Sequence, residues 1–306
     1  MSNYWSQYWR QGHLTSFGDD IKDNYIGALK QVWLAEFAQV TNEHQVLDLA
    51  TGNGALIGLL YDNKADGDYP SIDGIDLAEI QISAELLNVS TKTRFSGGVN
   101  CENLSFADHS QDLIISQFGI EYANFSKALK EVARVLKPDG RCQFICHHPL
   151  SIIVKPNQDI LRQSIAIQSS NGGLAIVKQL VKQLQLHGKG SVPSEKSRMK
   201  LNKFIEKQTR ADDVAFQATN FTALVRTVMN NLNDKALQLS IMNEFEAELK
   251  GSIQRLGDLI QACLSPARIK SFNKACQDSG LQINKFEPIK DAENCILGWQ
   301  INITKS

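Results

Sequence analysis

The chain has 306 residues, of which 42% are hydrophobic and 21% charged, a composition typical of folded globular proteins rather than disordered or collagen-like chains. Its 32 basic and 33 acidic residues leave a formal net charge of -1. No global field therefore attracts nucleic acid or an anionic membrane, and any such attraction must be local. The six cysteines include no Cys-x-x-Cys pair, which argues against a zinc site or a disulfide framework.

The expected location is cytoplasmic, with no membrane partner. The chain shows no signal-peptide pattern at its start and no apolar run of about 18 residues. Free cysteine thiols also fit a reducing compartment.

The N-terminal segment, residues 1–44, is predicted to be largely helical over 4–40. Ile26, Leu29, Trp33 and Phe37 recur at spacings of three and four residues, the period of a helix face. The start of this segment is rich in side chains that carry a ring, namely Tyr4, Trp5, Tyr8, Trp9, His13 and Phe17. Such a cluster either closes over a ligand or packs against other helices, and the sequence favours neither.

Strand and helix patterns alternate from residue 45, which implies a parallel sheet. Strands are predicted at 45–49, 71–76, 94–96, 112–117 and 141–146. Helices are predicted after the glycine-rich turn at 51–54, over 78–87 and over 125–136. The last of these helices is expected to stop at Lys137-Pro138-Asp139-Gly140, because proline cannot continue a helix and glycine accepts the turn that follows.

Residues 149–265 show only the apolar periodicity of helices. The apolar stripe here consists of Phe221, Leu224, Val225, Val228, Met229 and Leu232. Such a stripe predicts a buried helix face, not a cofactor site. Sheet patterns resume after Ser265-Pro266, where proline opens a helix, and Gly280 closes that helix before strands predicted at 281–287 and 296–303.

The most informative motif is the strand and turn at 46–56, Val-Leu-Asp-Leu-Ala-Thr-Gly-Asn-Gly-Ala-Leu. Gly52 and Gly54 allow a ligand to approach the backbone at the start of a helix. Asp76 follows Gly54 by 22 residues at the end of the second strand, where a carboxylate can bind both ribose hydroxyls of an adenosine. The third glycine of a dinucleotide fingerprint is replaced by Ile57, which argues against a pyrophosphate and hence against NAD.

Five ordered blocks resemble class I S-adenosyl-L-methionine-dependent methyltransferases of the small-molecule type. These blocks span 48–54, 74–77, 100–106, 110–117 and 128–140, and the last, ending in Lys-Pro-Asp-Gly, is the most specific. The resemblance covers 45–147 well and 266–304 by pattern only. It implies a doubly wound α/β fold with a seven-stranded, mostly parallel sheet whose last strand is antiparallel.

The resemblance also implies roles for cofactor-binding residues. Asp48 with the backbone of Ala50, Gly52 and Gly54 would hold the methionine portion, and Asp76 the ribose. The remaining predicted contacts are Leu77 packed on the adenine, Asn100 and Cys101 at the adenine edge, and Gln117 facing the methyl donor. Ala50 stands where glycine is commonest in the family. Asn100 replaces the usual acid, although its amide oxygen can still accept from the adenine amine.

The predicted organisation has three parts. They are an N-terminal helical segment (1–44), a methyltransferase core (45–148 and 266–306) and a helical cap insertion (149–265). The predicted function is methyl transfer from S-adenosyl-L-methionine to a small-molecule acceptor enclosed by the cap, with no metal. An RNA methyltransferase and a non-catalytic cofactor-binding protein remain alternatives, and the oligomeric state is open.

Two histidines are candidate catalytic residues. His147 and His148 follow the fifth strand, while Glu121 and Tyr122 follow the fourth. Ligands of open parallel sheets bind beyond these carboxyl ends, where a histidine can deprotonate a hydroxyl or amine acceptor. The alternative is a purely structural histidine pair, with methyl transfer promoted by orientation and exclusion of water.

A local basic segment spans residues 189–210. Its seven basic and two acidic side chains give a local charge of +5. RNA binding and a solvated helix face both explain this charge. The segment shows no RNA-binding module and no interleaved aromatic platform, which favours the solvated face. The fourth strand also ends in Ser116-Gln117-Phe118-Gly119, unlike the Pro-Pro-Tyr type of tetrapeptide of resembling enzymes that methylate base amines. Both features argue against a nucleic-acid substrate.

Overall fold

A computed structural model describes residues 2–16, 24–65 and 67–306 of the chain. The chain divides into two compact units. The first is discontinuous and comprises Met1–Val154 and Gln261–Ser306, and the second is Lys155–Ile260.

The first unit is built on a seven-stranded sheet with the order β3-β2-β1-β4-β5-β7-β6. The strands are β1 (Gln45–Leu49), β2 (Ser71–Ile75), β3 (Thr93–Ser96), β4 (Gln111–Gln117), β5 (Leu136–Cys146), β6 (Leu281–Lys290) and β7 (Ile296–Lys305). Neighbouring strands are parallel, except that β7 runs antiparallel to both β5 and β6. The predicted fold class is therefore confirmed.

Helices cover both faces of this sheet. They are α1 (Ser2–Arg10), α2 (Gly27–Phe37), α3 (Ala55–Tyr61), α4 (Ala84–Leu87), α5 (Phe125–Val135) and α12 (Pro266–Asp278). One apolar layer contains Trp33 and Phe37 of α2, and the other contains Val132 of α5 and Phe272 of α12. All four side chains are buried, so each helix face seals one side of the sheet from water.

The N-terminal segment contains two helices, α1 and α2, instead of the predicted continuous helix over 4–40. Gly12 has a φ of +85°, a left-handed conformation that a continuing helix does not contain. Residues 17–23, including the predicted aromatic residue Phe17, lie outside the described residues.

The helix predicted over 78–87 is wrong in its first half, since only α4 is helical. The preceding backbone N–H groups bind side chains instead of helical carbonyls. Ala78 N donates to Asp76 Oδ1, Glu79 N to Ser6 Oγ, and Gln81 N to Asn53 Oδ1, at 2.8, 3.0 and 2.8 Å. These bonds satisfy the donors in a non-helical conformation, so helical periodicity does not decide the local structure.

The helix α5 ends at Val135, close to the predicted stop, but β5 already begins at Leu136, so the predicted turn at 137–140 lies within the bounds of that strand. Leu136 is buried and pairs with Gln111, and the register shifts between Gln111 and Leu113. A β-bulge of this kind absorbs extra residues without ending a strand. The ladder resumes with Leu113 and Arg141, so residues 137–140 are the extra residues that this bulge accommodates.

Among the described residues of the second unit, the regular secondary structure consists of helices alone. Its helices are α6 (Val154–Gln168), α7 (Gly173–His187), α8 (Val192–Ala211), α9 (Asp213–Ala218), α10 (Phe221–Asn230) and α11 (Lys235–Ala262), of which α6 and α11 extend slightly beyond the unit. Phe221, Leu224 and Val228 of the predicted stripe are buried in its core, with Val225 and Met229 packed against them. Throughout the part of the chain described, no helix combines the length and apolarity needed to cross a bilayer.

Candidate active site

A cavity of about 250 Å³ lies in the first unit, where the carboxyl ends of the parallel strands meet. Asp48 lies near the end of β1, Asp76 directly follows β2, and Gln117 ends β4. Seven of the nine predicted cofactor-binding residues line it: Asp48, Ala50, Asp76, Leu77, Asn100, Cys101 and Gln117. The parallel sheet brings these residues together from separate strands.

The two glycines of the turn are not among the residues that line the cavity, and their contact with the methionine portion stays a prediction. Both have positive φ, +54° at Gly52 and +87° at Gly54. A Cβ on Gly52 would lie 2.7 Å from the indole of Trp9, and one on Gly54 would lie 2.6 Å from the Leu86 side chain. The glycines thus allow protein side chains to pack against the turn.

Asp76 holds the glycine turn through its carboxylate. Oδ2 accepts a hydrogen bond from Gly52 N at 2.9 Å, and Oδ1 accepts one from Ala78 N at 2.8 Å. Burial raises the pKa of Asp76, against the lowering effect of these two bonds. Each oxygen keeps a second acceptor position, so the oriented carboxylate can also accept from two ligand hydroxyls.

Asp48 carries an uncompensated buried oxygen. Its Oδ2 accepts from Thr51 Oγ1 at 2.6 Å, whereas its Oδ1 has no hydrogen-bond partner among the described residues. Burial raises the pKa of Asp48 to about 7, and the nearby Asp76 carboxylate adds to this shift. A cationic group in the cavity would supply the missing partner and restore the ionised form.

The charge around the cavity has one sign. Among the described lining residues, the charged ones are Asp48, Asp76 and Glu102, all acidic. A low-dielectric cleft that carries only negative charge attracts cations and repels anions. The site therefore favours a ligand with positive charge.

The N-terminal segment supplies part of the cavity wall. Trp5 and Trp9 line the cavity together with Tyr122. The Trp5 ring stacks near Trp9 at a centroid distance of 6.0 Å and meets Tyr122 edge-on at 6.1 Å. We refer to these three rings as the aromatic wall.

Asn53 binds the N-terminal segment to the glycine turn, a role that the sequence did not reveal. Its buried side chain donates from Nδ2 to the carbonyls of Trp9 and His13, at 2.9 and 2.8 Å. Its Oδ1 accepts from Gln81 N. Asparagine is common in turns because of its local backbone preferences. Its presence in a glycine-rich turn therefore gives no sign of these distant contacts.

Asn53→Ala is expected to loosen the N-terminal segment. Loss of the two bonds to the segment, at about 1 kcal/mol each, predicts amide exchange of Gln11 and Gly12 roughly 30-fold faster, since their N–H groups bond to Tyr8 and Trp9 carbonyls. Hydrogen exchange with mass spectrometry measures this. Asn63→Ala removes a bond to the Leu59 carbonyl away from the segment and is the control. Equal exchange in both variants would contradict the anchoring role.

Ala50 adopts a strained conformation at the cavity. Its φ is +58°, in the left-handed region where glycine is favoured. We expect Ala50→Gly to raise the free energy of unfolding by about 1 kcal/mol, measured by chemical denaturation. Ala123→Gly, at another lining residue but with a φ of -83°, should not stabilise the protein. A destabilised Ala50→Gly variant would show that the methyl group contributes packing that outweighs the strain.

The two candidate catalytic histidines lie behind the cavity wall and do not line it. His147 is 1% exposed and stacks on Phe118, a lining residue, at 4.3 Å. Burial lowers the pKa of His147 to about 3. His148 Nδ1 accepts from Leu150 N, and its ring lies 4.4 Å from Trp299. Catalysis by either histidine stays a prediction, whereas this geometry favours packing roles.

The sequence predicts that Glu121 and Tyr122 both lie near the reacting groups. In the structure, the two side chains have different surroundings. Tyr122 lines the cavity. Glu121 is fully buried, and its Oε1 accepts from His147 N at 2.8 Å. Burial raises the pKa of Glu121 to about 7, and Arg268 donates to the Glu121 carbonyl. Glu121 thus fixes the backbone where β5 ends.

The core of this unit matches a known family. Residues 47–144 match a family model described as a methyltransferase domain. This stretch is a methyltransferase domain. The resemblance is confirmed, and S-adenosyl-L-methionine is the cofactor of the family.

Curated relatives are similar to part of this chain. Ubiquinone/menaquinone biosynthesis C-methyltransferase UbiE of Rickettsia typhi is 35% identical over 131 residues, which cover 39% of this chain and 50% of that protein. UbiE of Geotalea daltonii is 36% identical over 103 residues, covering 32% and 43%. The chain thus spans about half the length of the curated relatives it matches.

Solved methyltransferases are also similar to the chain. Geranyl diphosphate C-methyltransferase from Streptomyces coelicolor A3(2) is 9% identical, with 91% of this chain and 80% of that chain covered at a TM-score of 0.43. An S-adenosylmethionine-dependent methyltransferase of Listeria monocytogenes is 15% identical, with 90% and 98% covered and a TM-score of 0.43. Because both TM-scores lie below 0.5, the family assignment rests on the sequence matches.

Proposed function

We propose that the protein transfers a methyl group from S-adenosyl-L-methionine to a small-molecule acceptor that carries no anionic group. The observation that carries this proposal is the buried Asp48 Oδ1, which has no partner among the described residues and belongs to an acidic cavity of the methyltransferase domain. S-adenosyl-L-methionine brings a sulfonium-activated methyl group and an ammonium group, which outweigh its one carboxylate, and both positive charges suit this lining.

In this proposal, each lining residue binds one part of the cofactor. Asp48 accepts from the ammonium group, and the fixed Asp76 carboxylate accepts from the ribose hydroxyls. Asn100 and Cys101 meet the adenine edge. Leu77, a cavity residue with 47% of its surface exposed, offers an apolar contact to the adenine face.

The aromatic wall supports a neutral planar or cationic acceptor. Trp5, Trp9 and Tyr122 present ring faces and edges to the cavity, which bind flat apolar rings by stacking and cations by their quadrupoles. An acceptor with a phosphate or carboxylate would meet three acidic side chains and no basic one among the described lining residues. The UbiE relatives are named for C-methylation in ubiquinone and menaquinone biosynthesis, and a neutral ring fits the same wall.

We further propose that orientation, and not a general base, promotes the transfer. Burial raises the pKa of the lining Cys101 thiol to about 12, so it stays protonated. His147 lies behind Phe118 and outside the lining. An already activated methyl group needs an aligned acceptor and a dry site, which the aromatic wall provides. Enclosure of the acceptor by the helical insertion remains a prediction.

Titration calorimetry of the purified protein tests the cofactor site. We expect micromolar binding of S-adenosyl-L-methionine and S-adenosyl-homocysteine, at about -8 kcal/mol, and no binding of NAD. A folded protein that binds neither adenosyl compound would contradict the proposal. The acceptor class is tested with paired acceptors that differ by one carboxylate, and faster turnover of the anionic members would exclude the proposed class.

A further inference from the structure

Four lysines form one face of helix α8. Lys196, Lys200, Lys203 and Lys207 are spaced by four, three and four residues, so a rotation of 100° per residue places all four within about 60° around the helix axis. All four are exposed. We refer to these residues as the lysine face.

The lysine face lacks compensating charges within the described structure. The two carboxylates of α8, Glu195 and Glu206, are each held by an arginine, Arg198 and Arg210 respectively. None of the four lysines forms an ion pair or hydrogen bond with a residue in 2–16, 24–65 or 67–306. Neighbouring like charges at spacings of three and four destabilise a helix, so this arrangement weakens α8 unless an external anion compensates it.

Exposed apolar side chains accompany the lysine face at the beginning of α8. Val192 is 82% exposed and Met199 65% exposed, and the helical period puts both on the same side as the lysines. Leu186, near the end of α7, is 63% exposed, and only residues 188–191 separate the two helices. On such a mixed face the lysines can meet anionic headgroups while the neighbouring apolar side chains reach the boundary with the acyl chains.

We infer that the lysine face, with Val192 and Met199, docks on a membrane surface rich in anionic lipid headgroups. The lysines attract the headgroups, and the two apolar side chains enter the boundary between headgroups and acyl chains. Nucleic acid would account for the lysines but gives Val192 and Met199 no role, because they are neither aromatic nor hydrogen-bonding. The near-zero net charge describes the whole chain and does not oppose this local contact.

Vesicle co-sedimentation with the full chain tests the inference. We expect binding to vesicles of phosphatidylcholine with 30% phosphatidylglycerol, and at least tenfold weaker binding to phosphatidylcholine alone. The variant Lys196→Gln/Lys200→Gln/Lys203→Gln/Lys207→Gln should lose at least tenfold in affinity for the anionic vesicles. The matched control removes four exposed lysines elsewhere, with Lys130→Gln/Lys155→Gln/Lys235→Gln/Lys270→Gln, and should keep wild-type binding.

A second pair of variants separates membrane docking from simple attraction to polyanions. Val192→Ser/Met199→Ser should bind anionic vesicles several-fold more weakly, while Val214→Ser/Leu239→Ser, at exposed apolar residues of α9 and α11, should not. Equal vesicle binding by both quadruple variants would overturn the inference, as would failure of the wild type to bind. Retention of a 30-nucleotide RNA by the wild type without any vesicle binding would assign the lysine face to nucleic acid instead.

Discussion

Asp76→Ala is expected to weaken binding of S-adenosyl-homocysteine at least 100-fold, about 3 kcal/mol, while the protein remains folded. The carboxylate would accept two ribose hydroxyls, and charge-assisted hydrogen bonds contribute about 1.5–3 kcal/mol each. The variant also frees Gly52 N and Ala78 N, so the turn loses its alignment. Calorimetry gives the affinity, and circular dichroism monitors the fold.

Asp73→Ala is the matched control for this prediction. Asp73 lies on β2, the strand that Asp76 directly follows, pairs with the exposed Arg94 and does not line the cavity. It should bind the cofactor as the wild type does. Unchanged affinity in Asp76→Ala would exclude the proposed ribose contact and with it the orientation of the cofactor in the cavity.

Asp48→Asn is expected to remove the pH dependence of cofactor binding. Because burial raises the pKa of Asp48 to about 7, the wild-type carboxylate is mostly neutral at pH 5.5 and mostly ionised at pH 7.5. Binding of the ammonium group needs the ionised form. The wild-type affinity should therefore fall roughly 20-fold between pH 7.5 and 5.5, whereas Asp48→Asn should bind weakly at both values. A flat wild-type profile would show that Asp48 does not meet a cation.

The same substitution, Asp48→Asn, should stabilise the folded protein although it weakens cofactor binding. The folded-state pKa of Asp48 is raised, so the folded protein binds the proton more tightly than the unfolded chain, and the wild-type free energy of unfolding falls as pH rises from about 4 to 7. Asp48→Asn removes this loss. The free energy of unfolding of the variant should therefore exceed that of the wild type by as much as about 4 kcal/mol at pH 8 and by little at pH 4. Denaturation at both pH values measures the difference, with Asp73→Asn as control. A variant less stable than the wild type at pH 8 would contradict this account.

Much of the sheet could be predicted from the sequence because its strands are short, apolar and bounded by turn residues. The bounds of β1 match the prediction, and Gln45–Leu49 has four buried residues of five. The predictions failed where contacts distant in sequence decide the backbone. Asp76, Asn53 and Ser6 bind the N–H groups of 78–81, and no local pattern contains that information.

That seven of the predicted cofactor-binding residues line one cavity could also be predicted, since they lie at or just beyond strand ends, where parallel topology places ligands. The position of the aromatic wall could not. Trp9 reaches the turn only because Gly52 lacks a side chain there, and the Asn53 bonds that anchor this segment span about 40 residues. Likewise, the position of His147 behind Phe118 depends on side-chain packing, not on its place after β5.

The position of β7 between β5 and β6 constrains how the sheet assembles. About 150 residues separate β5 from β7, so the edge of β5 stays unpaired while the helical unit is synthesised. Loop-closure entropy grows only slowly with length, but such distant pairing slows folding. Exposed strand edges are templates for aggregation. Early folding of the helical unit would shorten the effective loop between β5 and β7. The stability of the helical unit therefore governs how quickly the edge of β5 is covered.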